Sequence, residues 1–412
     1  MITGLKTIAV LCVLCVGASV VRAEQPQLFG DGEHDDTAAI QARLDTGCSC
    51  VHLPSPAKEY LISKTLLVKS GQELRLDRFS RVRLAPHSDC PMVQNANWQK
   101  GDRDIVVSGG IWDYDNVNQR SFRDRKAASA FVDSNNTFRI FRFDTVERLT
   151  VKDLTFRNPT TYSCQLTRVK HFAVENIFFD FDSWSRWEPI NMDGIHLDGG
   201  CCFGRISNLR GTCFDDMVAL NANDGYCSAF EGAINDIDID GLYSDFTHRG
   251  VRLLSTGAPV KRVTIRNLHL KTYRNGVALT HFFSDRPTRG VFDDIAVRDC
   301  AVSATNPPKE LGAAYYNWPM LWVQKGCDVG RLTVDGFSRA ETFSAKAPTV
   351  SVEEGATVER LSIRNCRQVN GTPDRLVFLS LKGEVKSFDF GEVSLATEKG
   401  AGENVLRLEG RQ

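Results

Sequence analysis

Two adjacent carboxylates, Asp215 and Asp216, sit in "TCFDDMVALN" (212–221), immediately before an apolar strand-like run. Asp193 lies in "NMDGIHL" (191–197) and His248 in "THRGVRL" (247–253). Like charges held together compete for ionisation, so at least one carboxyl of such a group keeps its proton to a higher pH than usual. One group holding a proton beside another that stays ionised is what proton transfer requires. Inverting cleavage of a glycosidic bond divides the labour in this way, with an acid for the leaving oxygen and a base for water, the carboxyls ~6.5–9.5 Å apart. The bland reading is a row of aspartates capping turns, which suits a lone Asp-Gly and also covers Asp236, Asp238, Asp240, Asp293 and Asp294. Calcium also gathers carboxylates, but His248 in the set argues against it.

Residues so far apart in sequence meet only if the chain stacks them. One short phrase recurs as "VERLTVKDLTF" from Val146, "VKHFAVENIFF" from Val169, "INDIDIDGLYS" from Ile234, "VKRVTIRNLHL" from Val260 and "VERLSIRNCRQ" from Val358. Each alternates apolar and polar residues around a turn containing Asn, Asp or Gly, which is the period of strands. A unit this short cannot bury its own apolar face, whereas stacked units share one core. These features predict an all-β, right-handed single-stranded parallel β-helix over 24–412. A β-propeller would need four antiparallel strands per blade and more hairpin signals. "DDTAAIQARLD" from Asp35 predicts one short N-terminal capping helix, its start capped at Asp35-Asp36-Thr37, within a cap spanning about 28–55.

A second strand aligns "GIHLD" (194–198), "MVALN" (217–221), "GVRLL" (250–254) and "GVALT" (276–280), with "SCQLT" (163–167) as a preceding rung. Alternation sends Ile195, Val218, Val251 and Val277 inward. Gln165, His196, Ala219, Arg252 and Ala278 then form a ladder on a solvent-facing sheet, rungs ~4.8 Å apart. The same register puts Asp193, Asp215, Asp216 and His248 at one edge of neighbouring rungs.

The first 23 residues read as an export signal: Lys6, an apolar core and Val21-Arg22-Ala23 as the cleavage site. The apolar run is short for a membrane span. A secreted or periplasmic protein without membrane insertion is expected. The formal net charge of −1 gives no reason to expect a nucleic-acid partner. The 13 cysteines lack metal-finger spacing and read mostly as small core residues, although export permits one or two disulfides. The sequence sets no oligomeric state.

With these residues in hand, the chain resembles glycoside hydrolase family 28, the polygalacturonases. The resemblance rests on "NMDG" (191–194), "FDD" (214–216) and "THRG" (247–250) in that order, with "GDGEHDDTAAIQ", "SGGIWD" and "NPTTYSCQL" upstream. It implies Asp215 as general acid, Asp193 and Asp216 as holders of the hydrolytic water, His248 tuning the acid, and Asn191 orienting the first carboxylate. It implies a polysaccharide or oligosaccharide substrate and no cofactor or metal. The family's Arg-Ile-Lys, which engages a substrate carboxylate, is Ala278-Leu279-Thr280 here. Arg252, one rung earlier in the ladder, is the first candidate for a displaced cation, ahead of His281, Arg249 and Arg274. Gln165, His196, Thr280 and one of Trp184 and Trp187 (Trp187 preferred) complete the candidate binding surface. The alternatives are a lyase or uronate epimerase on the same fold, and a carbohydrate-binding protein whose catalytic site has decayed.

Overall fold

The computed structural model describes residues 26–119, 139–182, 191–223, 230–281, 287–308 and 318–406. The export segment expected over 1–23, Trp184 and Trp187 lie outside them. Twenty-eight strands form one parallel sheet among the described residues, each pairing with a strand of the next coil. That topology is a parallel β-helix. The apolar alternation points inward as the sequence predicts: Ile195, Val218, Val251 and Val277 stack in register and are fully buried.

Two columns of left-handed residues turn each coil. One runs Asp153, Asn176, Asn208, Gly241, Asn267, Asp299, Gly336 and Asn365, all at positive φ. Only Asn, Asp and Gly occupy it, the residues that tolerate this backbone at least cost. Side-chain amides tie the coils together, with Asn176 Nδ2 donating to Asp153 at 2.9 Å and Asn208 Nδ2 to Asn176 at 2.5 Å. The second column includes Asp104, Arg148, His171, Phe203, Asp236, Arg262 and Asp294. Its bulkier members are held by their neighbours along the stack. His171 and Phe203 stack at 5.0 Å, and Arg262 forks onto Asp236 at 2.6 and 2.8 Å.

The capping helix α1 (Thr37–Asp45) forms, with Asp35 rather than Asp36 of the expected capping residues bonding its first N–H. Asp36, the residue before it, gives the helix no side-chain cap. Its carboxylate turns back to the Phe29 N–H at 2.6 Å and the Gly30 N–H at 3.2 Å, tying down the incoming chain. Asp35 instead accepts the Thr37 N–H at 2.9 Å. All ten cysteines among the described residues are unpaired, six of them buried, which fits their reading as core residues.

The candidate site rests on seven strands: β1 (Phe141–Asp144), β2 (Cys164–Thr167), β3 (Ile195–Asp198), β4 (Asp216–Asn221), β5 (Ile234–Leu254), β6 (Val260–Thr280) and β7 (Leu321–Val323). Their register aligns Arg142, Gln165, His196, Ala219, Arg252, Ala278 and Trp322 in one outward row. The expected solvent-facing ladder is nevertheless covered. His196, Ala219 and Ala278 are buried, and Tyr162 stacks on the His196 ring at 3.7 Å.

Candidate active site

Asp193 precedes β3 by two residues, Asp216 opens β4, and Arg249 pairs with Asp216 in the next coil. The carboxylates therefore meet at one strand edge. Gly194 makes this approach possible, because a Cβ there would lie 2.5 Å from the Met217 carbonyl. The Asp216 N–H donates to Asp193 Oδ1 at 3.0 Å, so the backbone of one coil orients the carboxylate of the coil before.

The cluster lies almost wholly out of solvent: Asp193 is 1% exposed, Asp216 0%, Asp215 5% and His248 5%. Buried carboxylates need partners, and each has them. Asp215 receives three: His248 Nδ1 at 2.6 Å, Arg249 Nη1 at 3.1 Å and the Asn191 N–H at 2.7 Å. Arg249 Nη1 also donates to Asp216 at 2.9 Å, bridging the two neighbours. Arg252 Nε lies 2.5 Å from the other Asp216 oxygen, as an ion pair without the alignment of a hydrogen bond. Asp193 Oδ2 lies 2.7 Å from His196 Nδ1. Behind it, Asp198 accepts Gln165 Nε2 at 2.6 Å and the Thr167 hydroxyl at 2.8 Å. His196 Nε2 is 3.2 Å from Asp198, again an ion-pair contact without hydrogen-bond alignment.

These surroundings drive the carboxyls apart. Burial, then the neighbouring Asp215 and Asp216, pushes Asp193 up to about 6. Burial also acts to raise Asp215, but His248, Arg249 and Arg252 outweigh it and hold that carboxyl far below its ordinary value. His196 is disfavoured as a cation by burial, yet its bonds to Asp193 and Asp198 win and raise it to about 9. The Asp193–His196 contact is accordingly carboxylate–imidazolium between about pH 6 and 9. Burial and then Arg249 depress His248 to about 4 despite Asp215. The cluster thus combines a neutral imidazole, a firmly ionised carboxylate and a carboxyl that takes up a proton in mild acid.

Among the described residues, Asp215, Asp216 and His248 offer ligand atoms within 4.8 Å of one another, the composition a metal ion would use. Arg249 Nη1 already lies between the two carboxylates. A second cation there would face an uncompensated like charge, so the set fits a metal poorly.

No family model matches the chain, and no curated protein matches it in sequence. Solved structures do match. A surface adhesin of Streptococcus pneumoniae, PfbA, is 14% identical over 89% of this chain and 91% of its own, with TM-score 0.59. The Yersinia enterocolitica family 28 exopolygalacturonase is 16% identical over 92% of this chain and 77% of its own, with TM-score 0.55. The A-module of the Azotobacter vinelandii mannuronan C-5 epimerase AlgE6 is 12% identical over 92% and 98%, with TM-score 0.54. The likeness is the parallel β-helix. At such identities it extends to the fold alone, across proteins whose activities differ.

Other residues singled out in the sequence take unexpected places. Asn191 holds Asp215, not Asp193, and does so through its backbone N–H from a left-handed conformation (φ 67°). Arg252 is in the expected row, paired with Ala278, but its charge is spent on Asp216. Thr280 is buried, its hydroxyl donating to the Leu253 carbonyl at 3.0 Å. Gln165 and His196 are adjacent in the row and share Asp198. Asp198 was not foreseen, although its place two residues after His196 in "GIHLD" put it on the same face. Arg139 and Arg142 were also missed. The signal was "RIFRFD" (139–144), which alternates like the neighbouring rungs and extends the row by one.

Proposed function

We propose that this chain is a glycoside hydrolase that cleaves a polysaccharide with inversion. The observation that carries the reading is the unequal partnering within one buried three-aspartate set: Asp215 takes an imidazole, a guanidinium and a backbone N–H, which hold it ionised, while Asp193 meets His196 and faces two like charges, which with burial raise its proton affinity. Two carboxyls pushed apart by their surroundings are the mark of an acid–base pair. Asp193 is then the proton donor and Asp215 the base, an exchange of the roles that the family 28 resemblance implies. Water loses a proton to Asp215 and its oxygen attacks the anomeric carbon. The glycosidic C–O bond breaks and its oxygen takes the proton of Asp193. Arg249 and Arg252 hold Asp216 beside the water, and His248 and Arg249 keep Asp215 ionised. Similarity of fold to family 28 enzymes supports this reading as analogy.

A lyase or epimerase is favoured by a different observation. His248 is neutral above about pH 4 and stands beside Arg249, a base next to a cation that would neutralise a uronate. Incubation with a polysaccharide panel separates the readings. Hydrolysis yields new reducing ends without the ultraviolet absorbance of an unsaturated uronate. Growth of that absorbance establishes a lyase instead, and binding with neither signal and no change in uronate configuration establishes a binding protein.

A further inference from the structure

Two coils before His196 the outward row carries a buried cation that forms no ion pair or hydrogen bond with a carboxylate among the described residues. Arg142 pairs with Gln94 on one side and Gln165 on the other, and is only 5% exposed. Its Nη2 is buried without a hydrogen-bond partner. Its guanidinium stands over the Trp98 ring, 5.2 Å from the ring centre, a contact that supplies no anionic hydrogen-bond acceptor. The two carboxylates that act on it, Asp144 and Asp198, are hydrogen-bonded elsewhere. Asp144 is held by Arg168 Nη2 at 2.6 and 2.7 Å and by the Thr145 hydroxyl at 2.9 Å. Asp198 takes Gln165, Thr167 and His196. A second cation, Arg139, enters the same coil three residues earlier, over the Tyr162 ring at 4.9 Å.

Burying a guanidinium without a counter-ion costs several kcal/mol, and no packing role visible here requires Arg at this position. Burial and then Arg139 lower the proton affinity of Arg142, and the attraction of Asp144 and Asp198 does not offset them. A planar fork of donors matches the two oxygens of a carboxylate or a sulfate.

We propose that Arg142 is the anchor of an anion-binding subsite that takes the carboxylate or sulfate of an acidic sugar. The subsite lies ~10 Å along the row from His196, two rung spacings, on the side away from Arg252. It rests on the reading of this chain as a protein that binds a polysaccharide. It places the grip on an acidic sugar upstream of Asp193, whereas the sequence pointed downstream, to Arg252 and Ala278.

The test is binding without turnover, in an Asp215→Asn background, followed by titration calorimetry. The probes are an oligogalacturonide, its carboxyl-reduced neutral counterpart and a sulfated oligosaccharide of matched length. The parent is expected to bind at least one acidic probe about tenfold or more tighter than the neutral one, the ratio that a charge-assisted hydrogen bond supplies. Preference for the oligogalacturonide alone identifies a carboxylate, and preference for the sulfated probe identifies a sulfate. Arg142→Gln is expected to erase the preference and Arg142→Lys to keep part of it. A parent that binds acidic and neutral probes within about tenfold of each other, or an Arg142→Gln protein that keeps the full preference, overturns the subsite. The parent comparison needs no substitution at Arg142, and the melting curve of the Asp215→Asn protein shows that it is folded. A protein that binds acidic sugars through Arg142 yet never cleaves them contradicts the hydrolase reading and leaves the subsite standing.

Discussion

His248 Nδ1 lies 2.6 Å from Asp215 Oδ1, and the same oxygen receives Arg249 Nη1 at 3.1 Å. One carboxylate oxygen is therefore shared by an imidazole and a guanidinium from successive residues of the next coil. The "HR" of "THRG" supplies both, and the register that pairs Arg249 with Asp216 brings them there. A charged donor in this position keeps Asp215 ionised and deprives it of a proton to give.

Arg249→Gln tests how far the site depends on that donor. Breaking a buried ion pair by removing one partner costs about 3–5 kcal/mol, because the remaining charge is left uncompensated. Urea denaturation is expected to show a loss of that size. A loss below about 1 kcal/mol, the scale of an exposed pair, would show that Arg249 does not carry the cluster.

The Asp193–His196 pair makes stability depend on alkaline pH. His196 is raised above its ordinary value, so its contribution is complete below pH 6.5 and is lost as pH rises towards about 9. Across that window the unfolding free energy is expected to fall by at most about 1.4 kcal/mol per pH unit. His196→Gln removes the titrating group and flattens the slope. An unchanged slope in the variant would place its origin elsewhere.

Gly194→Ala tests the strand edge. The added Cβ would lie 2.5 Å from the Met217 carbonyl and 2.6 Å from the Phe179 ring. Overpacking of this kind costs about 1–3 kcal/mol, and displacing Asp193 adds a loss of turnover beyond what the melting shift explains. A variant with full specific activity once folded would show that the close approach does not position the acid.

Arg252→Gln distinguishes a residue that serves Asp216 from one that grips substrate. Because Arg252 is paired with Asp216, turnover is expected to fall alike on an acidic polysaccharide and on its carboxyl-reduced form. A loss confined to the acidic form would restore Arg252 as the substrate clamp.

Much of this was legible in the sequence, for a physical reason. The Asn/Asp/Gly turns repeat because a left-handed backbone admits few residues, and the apolar alternation repeats because the coils share one core. Aligning "GIHLD", "MVALN", "GVRLL" and "GVALT" on those two signals reproduces the observed register, and with it the meeting of Asp193, Asp215, Asp216 and His248. What the alignment does not contain is direction and charge state. It puts Arg252 in the outward row but says nothing of its turning back to Asp216. It leaves Asn191 as a side chain, whereas its backbone N–H makes the contact. It names three aspartates without saying which is raised, since that depends on which donors reach which oxygen. Nothing in the family pattern marks Arg142, because that pattern places its cationic grip downstream, at the position of Ala278.

The central claim is that Asp193 carries the proton and Asp215 does not. The most direct measurement compares Asp193→Asn and Asp215→Asn on a polysaccharide and on a glycosyl fluoride of the same sugar, whose leaving group needs no protonation. General acid–base catalysis contributes about 10²–10⁴-fold. Asp193→Asn is predicted to lose a factor in that range on the polysaccharide while keeping most of its rate on the fluoride, and to lose the fall in activity above about pH 6. Asp215→Asn is predicted to fail on both substrates. The reverse pattern, with Asp215→Asn spared on the fluoride and Asp193→Asn not, would contradict the account and return the acid to Asp215.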